Sequence, residues 1–160
     1  MQIVRFFVVT LIICLFNLVW FINLVVYSQE VFVSNLSNKC LRCLCYAASN
    51  CDLARGCSGG FCGPYQLGYS YWKDAGSPTL SRNDRNSITA FQNCALTFPC
   101  AQGTIREYMA RYGQDCNNDG ITDCDDFAMI NFNGAFQCDQ PLSTTAEGRT
   151  FWLRYTRCRN

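Results

Sequence analysis

The sequence predicts a small, mainly helical domain that is held together by disulfide bonds. Thirteen cysteines occur among 160 residues, and all of them except Cys14 lie after residue 39. An even number of cysteines at this density is typical of exported domains with a thin core, so we expect about six disulfide bonds. Several segments have helical composition or place apolar residues at helical spacing, and no repeat or biased stretch separates a second domain.

The first 28 residues have the composition of an export signal. A single charge, Arg5, precedes an apolar run that extends from Phe6 to Val26 with few interruptions. Val26 and Ser28 suit the positions three and one residues before a cleavage site, so we expect residues 1–28 to be removed. The run is also long enough to span a bilayer, which leaves a signal anchor as the alternative.

After cleavage we expect a leader, residues 29–39, and one domain, residues 40–160, secreted to the extracellular space as a monomer without membrane attachment. Removal of Arg5 leaves equal numbers of basic and acidic residues, which argues against a nucleic-acid partner. The Asn35-Leu36-Ser37 segment is an N-glycosylation acceptor, so Asn35 is a candidate glycan site.

The first helix is expected over residues 40–49, which are rich in alanine and leucine. Gly59-Gly60 predicts a tight turn. The three closest cysteine pairs suit local loops, namely Cys45/Cys51, Cys57/Cys62 and Cys94/Cys100. The spacing from Cys40 to Cys45 also matches a zinc knuckle, but the absence of histidine and the even cysteine count favour disulfides.

Further helices follow the aromatic segment 61–72, which glycine and proline divide into turns. A short helix is expected over residues 69–73. Another begins after residue 86, because apolar residues recur on one helical face from Ile88 onward. The remaining helices are expected over residues 104–112, 125–132 and 150–158.

An acidic loop at residues 115–126 has the spacing of a calcium-binding loop. Oxygen-bearing side chains alternate along it, with a glycine at the sixth position and a backbone carbonyl at the seventh. Five acidic groups that repel one another also favour a cation. The spacing therefore predicts a structural calcium ion bound by Asp115, Asn117, Asp119, Ile121, Asp123 and Asp126. The alternative is an acidic turn that caps the helix from residue 125, since carboxylates stabilise a helix N-terminus.

An ordered series of cysteines, glycines and aromatic residues runs through most of the chain. It comprises Cys40-x-x-Cys43-x-Cys45-x5-Cys51, Gly56-Cys57, Cys62-Gly63-Pro64-Tyr65-Gln66-Leu67, Tyr71-Trp72-x-Asp74-x-Gly76 and Asn93-Cys94-x5-Cys100. The series resembles the invertebrate-type lysozyme family, also called destabilase-like, and in particular its insect branch. The resemblance implies an α+β, mainly α, lysozyme-like domain with a cleft for bacterial cell-wall glycan, and catalysis without a cofactor.

Cleaving a glycosidic bond needs two carboxyl groups, one to protonate the leaving oxygen and one to attack or to stabilise the cation. The resemblance places the acid where this chain has Ala48, and the second carboxylate in the segment 58–61, which contains no acid. Asp52 is the best substitute, ahead of Asp74 and Glu107. We therefore expect hydrolysis to be lost or weak.

The family's isopeptide-cleaving activity needs a nucleophile and a base. The resemblance expects a serine and a lysine where this chain has Phe61 and Gly68, and the chain has no histidine, so we expect this activity to be absent. Two function classes stay open. The family favours a secreted hydrolase with antimicrobial or digestive use, whereas the residues favour a non-catalytic protein that binds glycans or a protein partner.

Three side chains are candidates for substrate binding, namely Tyr65, Gln66 and Tyr71. The preceding Gly63-Pro64 is expected to place the first two on an exposed turn. Such aromatic residues otherwise belong to the core, as we expect for Trp72.

The resemblance also bears on the disulfide bonds. It implies that the close pairs form local bridges, and that Cys40, Cys43, Cys116, Cys124, Cys138 and Cys158 share three longer bridges in a connectivity that stays open. Ala75 and Thr104 replace two cysteines of the family, so one family bridge is expected to be absent.

Overall fold

Six α-helices, two 3₁₀ helices and one small sheet make up residues 33–80 and 85–160, the part of the chain that the computed structural model describes. The architecture is α+β and mainly α, as the resemblance implies. Residues 1–28, where we expect the signal peptide, and the start of the leader lie outside the described residues. No helix within the two described ranges is long and apolar enough to cross a membrane.

Every helix predicted from the sequence is present, and two of them begin four or more residues earlier than predicted. The helices are α1 (Asn38–Ser49), α2 (Tyr69–Asp74), α3 (Ile88–Leu96), α4 (Phe98–Tyr112), α5 (Cys124–Asn133) and α6 (Ala146–Arg159), with 3₁₀ helices over Ala135–Gln137 and Leu142–Thr144. Helix α4 includes Pro99 because a first helical turn tolerates proline. Helix α6 starts at Ala146 because the Thr145 hydroxyl accepts the Gly148 N–H (2.9 Å).

Helix α1 lies at the centre of the core. Ser37 caps its start by accepting the Cys40 N–H (3.1 Å), and Asn50 ends it in a left-handed conformation (φ 59°). Leu41 and Leu44 are fully buried. The helix packs most extensively against α6, so the end of the chain is held on the helix that carries position 48.

The sheet consists of three two-residue strands, paired antiparallel in chain order: β1 (Cys57–Ser58), β2 (Phe61–Cys62) and β3 (Leu67–Gly68). Gly59 and Gly60, both with positive φ, form the predicted tight turn between β1 and β2. The strands themselves were not predicted, because two residues contain no alternating pattern.

The connection between β2 and β3 is held on two sides. Gly63 has a φ of +71°, and a Cβ atom there would lie 2.0 Å from the Ala95 carbonyl oxygen, so only glycine permits this approach to α3. On the other side, the Ser49 hydroxyl donates a hydrogen bond to the Pro64 carbonyl (2.7 Å). The connection is therefore fixed against the end of α1.

The six predicted disulfide bonds form, and the structure resolves their connectivity. The local bridges are Cys45–Cys51, Cys57–Cys62 and Cys94–Cys100, and the longer ones are Cys40–Cys124, Cys43–Cys158 and Cys116–Cys138. Because Cys40, Cys43 and Cys45 each belong to a different bridge, the zinc-knuckle alternative is excluded. Two of the longer bridges join α1 to α5 and to α6, and the third, Cys116–Cys138, joins the acidic loop to the residue that follows the first 3₁₀ helix.

The core is closed at positions 75 and 104, where the resemblance implies a further bridge in the family. Ala75 and Thr104 are both buried, and the Thr104 hydroxyl donates to the Cys100 carbonyl (3.0 Å). Trp72 is fully buried, as predicted, and its indole N–H donates to the Pro78 carbonyl (2.7 Å). Packing and hydrogen bonding thus fill this region of the core.

Removal of the Cys43–Cys158 bridge should destabilise the fold more than removal of Cys57–Cys62. The two bridges span 115 and 5 residues, and a loop of about 100 residues corresponds to about 4.7 kcal/mol, against less than about 3 kcal/mol for a loop shorter than about 15. Guanidinium unfolding of the C43A/C158A and C57A/C62A double variants measures both losses. Equal losses would contradict this account of α1–α6 cross-linking.

Candidate functional site

A cavity of about 650 Å³ lies between the end of α1, the β2–β3 region, α5 and the start of α6. Its volume falls within the range of about 300 to 1,000 Å³ that is typical of ligand pockets. The apolar lining residues are Ala47, Ala48, Phe61, Tyr65, Phe132, Ala146 and Phe151, and the polar ones are Gln66, Asn131, Thr145, Glu147, Thr150 and Arg154. The cavity therefore combines aromatic surface with a few polar groups.

Position 48 opens onto this cavity. Ala48 lies in the last turn of α1, is half-buried and forms part of the lining. The neighbouring Ser49 fixes the helix end to Pro64, so a longer side chain at position 48 would extend into the cavity. Ala48, which the resemblance aligns with a catalytic acid, therefore lies where it would contact a ligand in the cavity, but its side chain is only a methyl group.

One carboxylate, that of Glu147, lines the cavity among the described residues. The three substitutes considered from the sequence, Asp52, Asp74 and Glu107, are not part of the lining. Asp52 is exposed, and its carboxylate accepts the Ala54 N–H (3.0 Å) in a local turn. Sequence reasoning missed Glu147 because the last helix was expected to begin at residue 150. The Thr145 cap with an acid in the first turn was the signal for an earlier start.

Tyr65 and Gln66 both line the cavity, but not on the exposed turn that we expected. Tyr65 is only 1% exposed. Its ring packs against that of Phe98 at a centroid distance of 5.5 Å, and its hydroxyl accepts from the Gln102 amide (3.1 Å). Burial disfavours the phenolate and raises the pKa of Tyr65 to about 12. The Gln66 amide donates to the Gly63 carbonyl (2.7 Å), which holds the turn closed.

Tyr71, the third candidate for substrate binding, does not line the cavity. Its ring stacks on that of Tyr108 at a centroid distance of 3.7 Å and is packed against the core. Its hydroxyl is buried without a hydrogen-bond partner among the described residues. Burial raises the pKa of Tyr71 well above its usual value, so the ring is neutral and its role is packing.

Comparison with known proteins decides the family. A family model described as Destabilase matches residues 37–158. The chain belongs to the Destabilase family. Two curated relatives agree: "Lysozyme" of Magallana gigas is 32% identical, covering 68% of this chain and 73% of that protein, and "Invertebrate-type lysozyme 6" of Caenorhabditis elegans is 33% identical, covering 64% and 75%. The resemblance to invertebrate-type lysozymes is confirmed, and the insect branch stays a prediction.

Solved structures show the same fold. A chain in the crystal structure of Aeromonas hydrophila PliI in complex with Meretrix lusoria lysozyme matches with a TM-score of 0.59 at 27% identity, over 79% of this chain and 93% of that chain. The crystal structure of Tapes japonica lysozyme matches with a TM-score of 0.57 at 23% identity, over 79% and 94%. The Destabilase-family fold therefore extends over most of the described residues.

The acidic loop of this Destabilase-family chain uses its carboxylates to bind its own backbone. Asp115 accepts the N–H groups of Asp119 (3.3 Å) and Gly120 (2.8 Å). Asp123 and Asp126 form a capping box at the start of α5. Asp126 is fully buried, and it also accepts the N–H groups of Cys116 (2.8 Å) and Asn117 (3.2 Å).

These contacts do not support the predicted calcium site. Both oxygens of Asp126, the last of the six proposed ligands, are engaged by backbone N–H groups. In the described ranges, no group of three or more acidic, cysteine or histidine side chains could hold a metal ion. The geometry instead matches the alternative, an acidic turn that caps the start of α5.

Asn35, the candidate glycan site, lies near the same loop. It is exposed, and its side-chain amide donates to the Thr122 carbonyl (2.9 Å). Ser37, the third residue of the acceptor segment, caps α1. Glycan attachment at Asn35 stays a prediction.

Replacement of Asp126 by asparagine should lower the free energy of unfolding by about 2 to 3 kcal/mol. Hydrogen bonds to a buried charged group contribute about 1.5 to 3 kcal/mol, and the asparagine amide would turn a donor toward backbone donors. Chemical denaturation measures the change. Asp119→Asn, at an exposed position of the same loop, is the control and should change the free energy by less than about 0.5 kcal/mol.

The melting temperature should be the same in millimolar calcium and in a chelator. An ion present at about 100 times its Kd would add about 2.7 kcal/mol to the free energy of unfolding. Differential scanning calorimetry of the folded chain would show this gain as a rise in melting temperature. A rise that Asp115→Asn abolishes would restore the calcium assignment.

Proposed function

We propose that this chain is a secreted invertebrate-type lysozyme family protein that binds bacterial peptidoglycan and hydrolyses it weakly or not at all. One observation carries the proposal: the cavity at position 48 is lined by aromatic and amide groups but, among the described residues, by a single carboxylate. Ligand binding and hydrolysis make different demands on this cavity.

Hydrolysis of a glycosidic bond requires two carboxyl groups on either side of that bond, in opposite protonation states. Glu147 can supply one of them. Ala48 supplies none, and β1, β2 and their connecting turn contain no acid. A protonated donor and an ionised partner cannot both be provided by one side chain. Isopeptide cleavage, the second activity, needs a nucleophile and a base. Phe61 and Gly68 occupy the positions where the resemblance expects a serine and a lysine, so neither group is provided there.

Binding needs only shape, apolar faces and hydrogen-bonding groups, and these are present. Phe61 is 52% exposed and Phe132 is 36% exposed, although both line the cavity. Aromatic rings of this kind offer flat apolar surface to the faces of sugar rings. The relatives named as lysozymes suggest the amino-sugar polymer of bacterial walls as the ligand.

Secretion is part of the proposal. Six disulfide bonds suit an oxidising compartment, and residues 1–28 have the composition of a cleavable signal. The mature chain would then act as a monomer outside the cell, in antimicrobial defence or digestion, without a catalytic cofactor.

A non-catalytic protein that binds a protein partner is the second candidate. Its support is the structural neighbour, because that structure contains Meretrix lusoria lysozyme in complex with the protein PliI. The exposed phenylalanines of the cavity would suit a protein ligand as well as a glycan. Co-sedimentation with purified cell walls that are free of protein separates the two candidates.

The unmodified protein should co-sediment with bacterial cell walls and should not lower their turbidity. Ala48→Glu adds a carboxyl group to the cavity and should give measurable lysis, whereas the matched variant Ala48→Gln has the same length without the acid and should not. Turbidity and reducing-end assays on the same walls read out hydrolysis. Clear lysis by the unmodified protein would refute the loss of catalysis, and failure to co-sediment would refute wall binding.

A further inference from the structure

Charge is unevenly distributed along this nearly neutral chain. The acidic loop, residues 115–126, contains five acids and no basic residue. Helices α1 and α6 together contain one acid, Glu147, and six basic residues, namely Lys39, Arg42, Arg149, Arg154, Arg157 and Arg159. Because α1 and α6 pack against each other more extensively than any other two described elements, these basic residues are concentrated on one part of the surface.

Four of the six lie close together and form what we call the basic face. It consists of Lys39, Arg42, Arg154 and Arg157. The two helices are antiparallel, since the end of α1 and the start of α6 line the cavity together, and at the opposite end the Lys39 ammonium donates to the Arg159 carbonyl (2.7 Å).

The Cys43–Cys158 bridge fixes the register of the two helices, with a Cα–Cα distance of 5.3 Å. Lys39 and Arg154 each precede the cysteine of their own helix by four residues, in opposite directions along the pair. At about 1.5 Å per residue, the basic face therefore extends over about 12 Å along the two helices.

The basic face is on the solvent side of the helix pair. Three of its members are exposed, and Arg154 is half-buried at the cavity. None of the four forms an ion pair with a described acid, whereas Arg159 pairs with Asp125 on α5. The side chains of Arg42 and Arg157 also form no hydrogen bond with another described residue. The four charges are therefore available to an anionic ligand.

The side chains of the basic face suit phosphate groups. Three of the four are arginines, whose guanidinium groups stay protonated and offer paired N–H donors to phosphate oxygens. Several cations in a row favour a polyanion over a single small anion, because each neutralised phosphate releases a counterion. The line of charges between the two helices thus matches a flexible chain with repeated phosphates.

We infer that the basic face binds a linear phosphodiester polymer that is attached to the bacterial wall. Arg154 belongs both to this face and to the lining of the cavity, so the polymer would lie next to a glycan in the cavity. Two ligands on one wall bind at a higher effective concentration than two separate molecules. The charge pattern does not depend on the proposed function, but the choice of the wall as the source of the polymer rests on it.

Calorimetric titration with poly(glycerol phosphate) measures the affinity of the basic face directly. The double variant R42Q/R157Q removes two charges that are outside the lining of the cavity. It should bind poly(glycerol phosphate) about 10-fold more weakly, a loss of about 1.4 kcal/mol. Because two phosphate contacts are lost, the slope of log affinity against log salt should also become shallower by about 1.4.

Co-sedimentation with walls before and after chemical removal of their phosphodiester polymer extends the test to the natural surface. R42Q/R157Q should bind the intact walls more weakly than the unmodified protein does. It should bind the stripped walls equally well, since its cavity is unchanged.

Two further double variants serve as controls. K73Q/R85Q removes the same net charge from exposed positions outside α1 and α6, and it should bind poly(glycerol phosphate) and both kinds of wall as the unmodified protein does. R42K/R157K keeps the charge without the paired donors and should recover part of the affinity that R42Q/R157Q loses. Circular dichroism confirms that each variant is folded.

Three results would overturn the inference. The first is an affinity for poly(glycerol phosphate) that R42Q/R157Q leaves unchanged or that K73Q/R85Q weakens as much. The second is tighter binding of duplex DNA or of phosphatidylglycerol vesicles at equal phosphate concentration, which would exclude the wall polymer as the ligand. The third is equal binding of intact and stripped walls, which would leave glycan binding in place.

The proposed function fails separately. Binding of intact walls and poly(glycerol phosphate), without binding of stripped walls, would support the basic face and refute peptidoglycan binding in the cavity.

Discussion

The packing of α1 against α6 is the contact on which the rest of the structure depends. The two helices lie more than ninety residues apart in sequence, yet α6 is held on α1 by buried packing and by the Cys43–Cys158 bridge. The cavity exists because of this pairing, since Ala47 and Ala48 form one wall and the first turns of α6 form the other. Glu147 and Arg154 are part of the site only because α6 is fixed there.

This dependence explains which features the sequence could predict. The helices were predicted because their apolar spacing or composition is local, and the three local bridges because their cysteines are close in sequence. The gap at Ala48 was found because a family motif places an acid there. The resemblance implied a cleft, but the lining from α5 and α6 was not predicted, because no local pattern relates Asn131 on α5 or Arg154 on α6 to the end of α1. The pairing of the cysteines in the three longer bridges could not be predicted for the same reason, because those cysteines are far apart in sequence.

The spacing of the carboxylates in the acidic loop did not determine their role. Carboxylates that bind calcium and carboxylates that cap a helix both occur at short, regular spacing, so the sequence is compatible with either. The direction in which Asp126 points decides between them, and that direction depends on the fold. It turns inward, where it accepts N–H groups on both sides of the loop. The same residue types therefore stabilise the start of α5 rather than an ion.

The described residues thus form an invertebrate-type lysozyme scaffold, and we propose that its cavity binds a glycan without hydrolysing it. Nuclear magnetic resonance of the alanine methyl groups during titration with a soluble wall fragment tests this claim most directly. The account predicts that the Ala48 methyl resonance shifts in a saturable manner, that the exposed Ala110 methyl resonance does not, and that no new reducing ends accumulate in the sample. Accumulating reducing ends, or a titration that leaves Ala48 unperturbed, would contradict it.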